Sequence, residues 1–506
     1  MAKKSMKNIP IQGAPMLGSC TMDLTENCNL ACDYCFTHQN GNRKDRVMKE
    51  EIGKKMINWW LAQGPSDDRK RGISWWGGEP LLEWELLQRL TLYAEEIGRR
   101  DNWDIEFGGT TNGLLYTPEK YDWMLEHKCV MLLSLDGIQP AHDLHRKTSK
   151  GVGSWKTVDR NLREALKVIP FQKIRFSFAP DTVQYLYQDV LYFVEDLGLN
   201  DVAFSPVYEG DWSQKNLELV DEQFEKIIQF ALKKHKEGSP ITLKHFNDEA
   251  ALSRMEMLPP QNPCGAGNTY VGWSKDGFMY PCHRFNKHNQ TISNRKKHEI
   301  PIIASIYRGY VNEEFRKGFW DYRNNPPDIC TECEIFRRSG CFGGCYGVNW
   351  DLSGDIYKPH PSVCGYAKLQ TAVGRKYDGL AQQQGVTVCS SKGWDRKDSP
   401  KDGSPIKGCV CYNMCYLQGT NKEITHLDYR SDRSCLCYQS SYFRELDEQS
   451  QIINHEHERT RQKFTNLTMR ILNDHRKKIK KLPKQRKLEK EVINKTIDLY
   501  LKERVD

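Results

Sequence analysis

Cys20-Thr-Met-Asp-Leu-Thr25-Glu-Asn-Cys28-Asn-Leu-Ala-Cys32-Asp-Tyr34-Cys35-Phe36 is a short strand-like run that ends in three cysteines, spaced by three residues and then by two. Five more strand-like runs follow, at Ile73-Trp76, Asp104-Phe107, Val130-Leu135, Ile174-Ala179 and Val202-Pro206. Between them lie longer stretches, such as Leu82-Gly98 and Thr157-Val168, with apolar residues at helical spacing. This alternation predicts parallel strands joined by crossover helices, an α/β fold whose six units make a partial (β/α)6, TIM-like barrel. In such a barrel the chemistry collects in the loops at the carboxyl ends of the strands. The conspicuous motifs fall there: Glu26-Asn27-Cys28 after the first strand, Gly77-Gly78-Glu79-Pro80 after the second, Thr111-Asn112-Gly113 after the third and Asp136-Gly137 after the fourth.

The whole chain has 506 residues, enough for two or three domains with cores of their own. Its 38% hydrophobic and 28% charged content is that of a soluble globular protein. The lysine-bearing N-terminus meets Ile9-Pro10 and Pro15 without the apolar run of a signal peptide or a membrane span, so a cytoplasmic chain with no membrane partner is expected. Around Pro259 to Pro263 the alternation gives way to a region rich in cysteine and glycine. The expected units are therefore residues 1–250, the barrel; 251–370, a cysteine-rich α+β domain; and 371–506, a mostly helical extension that bears cysteines first and basic residues later. Ile453 to Asp506 carries sixteen Lys or Arg against eight Asp or Glu, a surplus equal to the whole chain's formal charge of +8.

Eighteen cysteines point to thiolate metal ligands in a reducing compartment, with disulfides as the alternative that their short, ligand-like spacings disfavour. Cys20 and Cys129 sit in apolar runs and read as core. Cys28, Cys32 and Cys35 can hold three irons of a four-iron cube and leave the fourth without a protein ligand. An open iron can chelate the amino and carboxylate groups of a methionine moiety, and electron transfer into its sulfonium then releases an adenosyl radical. A closed zinc site needs a fourth ligand that the loop lacks. With Gly77-Gly78-Glu79-Pro80 after strand two, the motif resembles the radical S-adenosylmethionine superfamily. That resemblance implies that Tyr34, Gly77, Gly78, Glu79, Ser134 and Arg146 bind the cofactor, Gly78 by letting backbone approach the methionyl amino group and Arg146 by a bidentate grip on a carboxylate. Val207, after strand six, is a weaker match for an adenine contact.

Cys264-x12-Gly277-x4-Cys282 is followed by Cys330-x2-Cys333-x7-Cys341-x3-Cys345-x18-Cys364, which resembles the SPASM extension of peptide and protein maturases. On that pattern Cys264, Cys282 and Cys345 share one auxiliary cluster, and Cys330, Cys333, Cys341 and Cys364 close a second. The implied cofactors are thus three [4Fe-4S] clusters and S-adenosylmethionine. The first auxiliary cluster is one ligand short, because Tyr270 stands where sulfatase-maturing relatives have a further cysteine. An open iron there is expected to be filled by a substrate thiol or a C-terminal cysteine. Cys389, Cys409, Cys411, Cys415, Cys435 and Cys437 read as ligands of an additional metal or as a cap over that cluster.

The resemblance over Gly18 to Tyr366 is nearest to anaerobic sulfatase-maturing enzymes and ribosomal-peptide maturases, so an enzyme acting on a peptide or protein is expected, with flavodoxin or ferredoxin as electron donor. His283 occupies the place of the aspartate that serves the sulfatase-maturing group as base, and is the expected catalytic residue. The change argues against formylglycine formation and for crosslinking, thioether formation, epimerisation or oxidation of a peptide. Formylglycine formation, dehydrogenation of a small molecule and a non-catalytic iron-sulfur protein that binds nucleic acid are the alternatives. Only 27 residues precede Cys28, too few for a winged-helix leader reader, so the basic run Arg476 to Lys487 is expected to grip an acidic leader or RNA, or else to be a solvated helix face.

Overall fold

The computed structural model describes residues 18–36, 43–63, 70–169, 172–239, 241–253, 264–286, 302–320, 327–338, 341 and 343–385. Cys389, Cys409, Cys411, Cys415, Cys435, Cys437 and the basic run lie outside the described residues.

Six parallel strands form where the period-two runs predict them: β1 (Ser19–Thr25), β2 (Lys70–Gly77), β3 (Asp104–Thr111), β4 (Cys129–Ser134), β5 (Ile174–Phe178) and β6 (Asp201–Pro206). They pair in chain order. The crossovers carry α1 (Glu50–Leu61), α2 (Trp84–Asp101), α3 (Pro118–Glu126), α4 (Gln139–His145), α5 (Trp155–Leu166) and α6 (Leu186–Leu191). In α2 the residues Leu86, Leu90, Ala94 and Ile97 recur at three- and four-residue steps and are buried against the sheet. The helix stops at Asn102, whose left-handed backbone (φ 57°) lets its N–H donate to the Gly98 carbonyl. Along β5, Ile174, Phe176 and Phe178 are buried on the helix side, while Arg175 and Ser177 alternate onto the inner face. Cys20 and Cys129 are buried core residues.

Two features extend the six expected strands. α7 (Gln214–Lys236) leads to a two-residue strand, β7 (Thr242–Leu243), parallel to β6, and on to α8 (Lys244–Ser253). At the other edge β8 (Tyr270–Trp273) lies parallel beside β1, and β9 (Phe278–Tyr280), β10 (Ala304–Ser305) and β11 (Gly309–Tyr310) continue antiparallel from it. One sheet thus runs β11-β10-β9-β8-β1-β2-β3-β4-β5-β6-β7. It belongs to the barrel and to the cysteine-bearing region alike.

The cysteine-bearing region adds α9 (Glu313–Trp320), α10 (Asp328–Thr331), α11 (Glu334–Arg338) and α12 (Tyr346–Ser353), and has a small core of its own in which Cys282 and Cys330 lie among Tyr280, Phe285, Phe319 and Tyr346. A last helix, α13 (Pro361–Gln383), returns to the barrel and buries Tyr366, Val373, Tyr377 and Ala381 along one face, against α8 and α7. It runs unbroken through residue 370. Among the described residues no helix is long and apolar enough to cross a membrane.

Candidate cluster and cofactor site

The loop after β1 is braced from both ends. Asn27 Nδ2 donates to the Arg43 carbonyl and Arg43 N–H to Asn27 Oδ1, each at 2.9 Å, so the ends of the cysteine loop are pinned together. Within it the Cys28 thiol accepts from Leu30 N–H (3.4 Å), and Cys35 N–H donates to the Cys32 carbonyl (3.1 Å). The three thiols lie close enough to act on one another electrostatically. Burial, helped by the Glu79 carboxylate, pushes the Cys28 thiol up to about 12, and burial raises Cys32 against the opposing charge of Arg146. Such thiols are protonated when free and lose their protons when they bind metal.

Gly77 and Gly78 are where the second strand meets this loop. Gly77 has φ 129°, and a β-carbon on it would fall on the Thr25 carbonyl oxygen. One on Gly78 would fall on the Asn27 carbonyl oxygen and come within 2.6 Å of its carbon. Gly78 N–H donates to Thr25 O (2.9 Å) and Glu79 N–H to Asn27 O (2.8 Å), so the glycine pair is a backbone seat for the segment entering Cys28. Glu79 is fully buried, accepting from Leu81 N–H (3.0 Å), Thr111 Oγ1 (2.9 Å) and Asn112 N–H (2.7 Å). Burial, outweighing these bonds, raises it to about 7. Asn112 in turn donates to Asn29 Oδ1 (2.7 Å) and faces the Cys28 sulfur at 3.8 Å. Glu79 therefore ties the ends of β2 and β3 to the cysteine loop.

On the other side of the mouth stands Asp136, to which no local motif assigns a role. Arg146 Nε donates to its Oδ2 at 2.6 Å, the Tyr34 hydroxyl donates to the same oxygen, and Ser177 N–H donates to Oδ1 at 2.8 Å. Burial alone would raise this carboxyl, but Arg146 outweighs it and holds Asp136 below the usual carboxylate range. The Arg146 guanidinium also lies over the Tyr34 ring, 5.5 Å from its centre. Two expected cofactor residues, from the cysteine loop and from the end of α4, are thus set by one acid. Ser134 ends β4 in register with Arg175, and Val207 continues β6 with its N–H on the Phe178 carbonyl (2.8 Å).

The seven cysteines of the second region fall into two sets. Cys282 is within electrostatic reach of Cys345 and Cys264; Cys330 is within reach of Cys341, Cys364 and Cys333. Burial pushes Cys330 to about 12 and Cys341 to about 11. Among the described residues no three His, Cys, Asp or Glu side chains converge on a single-ion site.

His283 lies between the two regions. Its ring packs 4.7 Å from Trp76 and 5.8 Å from Phe36, and its Nδ1 is 2.6 Å from the Tyr270 hydroxyl. Burial, then the charges of Arg284 and Arg175, push the imidazole down to about 3. It is neutral near pH 7, and its surroundings favour accepting a hydrogen bond over accepting a proton. Tyr270 and His283 are bonded to each other. Nothing in the spacing of the sequence signals that pairing.

Residues 22–177 match the model of the Radical SAM superfamily. The chain is 24% identical over 357 residues to a cysteine-type anaerobic sulfatase-maturating enzyme of Clostridium perfringens, covering 65% of this chain and 89% of that one. It is 20% identical over 365 residues to the radical SAM cyclopropyl synthase TigE of Paramaledivibacter caminithermalis, covering 68% and 71%. Its fold is similar to that of native anSMEcpe solved with bound AdoMet and Cp18Cys peptide, at a TM-score of 0.57 and 19% identity over 72% of this chain and 99% of that one.

Proposed function

We propose that this radical SAM enzyme is a maturase that removes a hydrogen atom from a ribosomally made peptide or protein, the first step of a crosslink, thioether, epimerisation or oxidation. The observation that carries the reading is the grouping of ten cysteines into three sets, one at the barrel mouth and two in the second region. The relatives support it: the similarity to a sulfatase-maturating enzyme and to a cyclopropyl synthase runs through barrel and second region alike. One relative of the same fold was solved with a peptide in place.

On this reading Cys28, Cys32 and Cys35 hold the catalytic cluster, Cys264, Cys282 and Cys345 the first auxiliary cluster, and Cys330, Cys333, Cys341 and Cys364 the second, in a SPASM domain. A four-iron cluster with S-adenosylmethionine supplies the homolytic carbon-sulfur cleavage that a hydrogen abstraction needs. The chain's own part is to seat and orient. The Gly77-Gly78 seat and Glu79 fix the cysteine loop, and Tyr34 and Arg146, held by Asp136, would bind the cofactor together with Ser134 and Val207. With His283 in the place of the aspartate base and Tyr270 in the place of a cysteine, the reading favours a modification other than formylglycine formation. A flavodoxin or ferredoxin would deliver the electron.

The test is anaerobic. The protein is reconstituted with iron and sulfide, reduced and given S-adenosylmethionine, and 5'-deoxyadenosine is quantified by mass. Wild type is expected to form it, and a variant with Cys28, Cys32 and Cys35 all changed to Ala is expected to form none. A wild type with reducible clusters that forms none, with or without added peptide, sinks the proposal.

A further inference from the structure

Three guanidiniums, those of Arg146, Arg175 and Arg284, lie within electrostatic reach of Asp136 or of one another, and two are matched by carboxylates. Arg146 is bonded to Asp136 and Arg284 to Glu209, each at 2.6 Å. Arg175 is different. Among the described residues its hydrogen-bond partner is the Ser205 hydroxyl of β6. Phe176 and Phe178 pack toward the helices on the far side of the strand, so Arg175 faces inward.

The guanidinium reaches from β5 across to β6. It is anchored across the sheet on β6, and Tyr208, Tyr366, Arg284 and Asp136 lie within electrostatic reach of it. Tyr208 and Arg284 are within electrostatic reach of Cys345, so this side of Arg175 looks toward the first auxiliary cysteine set. A half-buried guanidinium with one hydroxyl partner leaves most of its five donors unanswered by charge, a costly state that an arriving anion relieves. The planar fork matches a carboxylate in particular.

We propose that Arg175 binds a carboxylate of the substrate peptide and so selects segments with an Asp or Glu side chain, or a free C-terminus, close to the residue that loses hydrogen. This rests on the peptide-maturase reading above. Arg175 is a specificity-determining residue, not a cofactor ligand.

The test uses the full chain, reconstituted anaerobically with S-adenosylmethionine present, and four probes in calorimetric titration: acetyl-Ala-Gly-Asp-Gly-Ala-amide, its Asn twin, and acetyl-Ala-Gly-Gly-Gly-Ala as free acid and as amide. A carboxylate probe is expected to bind about tenfold or more tighter than its neutral twin; which of the two carboxylates does so identifies its source. Arg175→Gln should bring each pair to parity and leave affinity for S-adenosylmethionine unchanged. Arg175→Lys, which keeps the charge without the fork, should narrow the preference, and it serves as the reading if Arg175→Gln does not fold. Equal binding of the twins by wild type, an undiminished preference in the variants, or a loss of S-adenosylmethionine affinity in Arg175→Gln would each overturn the assignment. 5'-Deoxyadenosine is measured in the same preparations. Carboxylate preference without it sinks the radical function, and its formation without any preference sinks Arg175 alone.

Discussion

Gly78 has no room for a β-carbon, because the Asn27 carbonyl already occupies that position. The obstacle is backbone, which cannot rotate aside as a side chain would, so Gly78→Ala must move the segment that presents Cys28. The expected cost is about 1–3 kcal/mol of stability and the loss of one cluster's iron from the reconstituted protein. Both are read by thermal melting and by iron and sulfide analysis. Unchanged iron at the first site would show that the glycine seat does not set the loop. The motif is plain in the sequence: the resemblance gives Gly78 a cofactor contact, and the fold adds a second reason for glycine, the approach of its own Asn27. Asp136 carries no such local signal. A single acid after a strand looks like any loop acid until Tyr34 and Arg146 arrive from elsewhere in the chain to share one of its oxygens.

At the scale of elements, α13 shows how a helix becomes part of a barrel it follows by more than a hundred residues. Its buried positions Tyr366, Val373, Tyr377 and Ala381 recur at helical spacing, and Gly374 brings it against Glu249 of α8, where a β-carbon would press on the Glu249 side chain and stand 3.2 Å from the Ala250 nitrogen. Gly374→Val should therefore wedge the two helices apart and cost about 1–3 kcal/mol in denaturant unfolding. Gly379→Ala on the same helix meets open space and should be neutral or stabilising by up to about 1 kcal/mol. Equal effects of the two changes would mean that α13 is not docked through Gly374. The six strands were legible because period-two runs between helical stretches are local signals. β7, of two residues, and β8, which joins the sheet beside β1 from far along the chain, carry no local signal of comparable strength.

At the scale of the whole molecule, barrel and second region share a sheet and a buried polar joint. Asn286 Nδ2 donates at 2.6 Å to Oδ2 of Asp23, which lies fully buried in β1. Burial raises the Asp23 carboxyl well above its ordinary range, only partly countered by Asn286. The sign follows from proton counting. Below the ordinary carboxylate range Asp23 is protonated in both states; as pH climbs from there toward the raised folded value, the unfolded chain sheds the proton and the folded one keeps it. Stability is therefore lost across that window by about 1.4 kcal/mol per pH unit. Asp23→Asn, which can still accept from Asn286, should remove that fall, so that the cluster-free variant outlasts wild type in denaturant at pH 8 and the gap closes toward pH 4. A gap independent of pH would show that Asp23 is not held protonated.

The sequence by itself determined the strand-and-helix alternation, the placing of motifs at the strand ends, and the short cysteine spacings. Each is written within a few neighbouring residues, where backbone geometry and ligand reach act directly. The division of the later cysteines into two sets came from a resemblance, since spacing alone permits several groupings. Tertiary structure alone decided which distant groups answer one another: Glu79 with Asn112, Asp136 with Tyr34 and Arg146, Tyr270 with His283, and Arg175 left with a hydroxyl. These partners meet only after the sheet has formed and buried them, and burial is what turns an ordinary side chain into one that must find a partner or wait for a ligand.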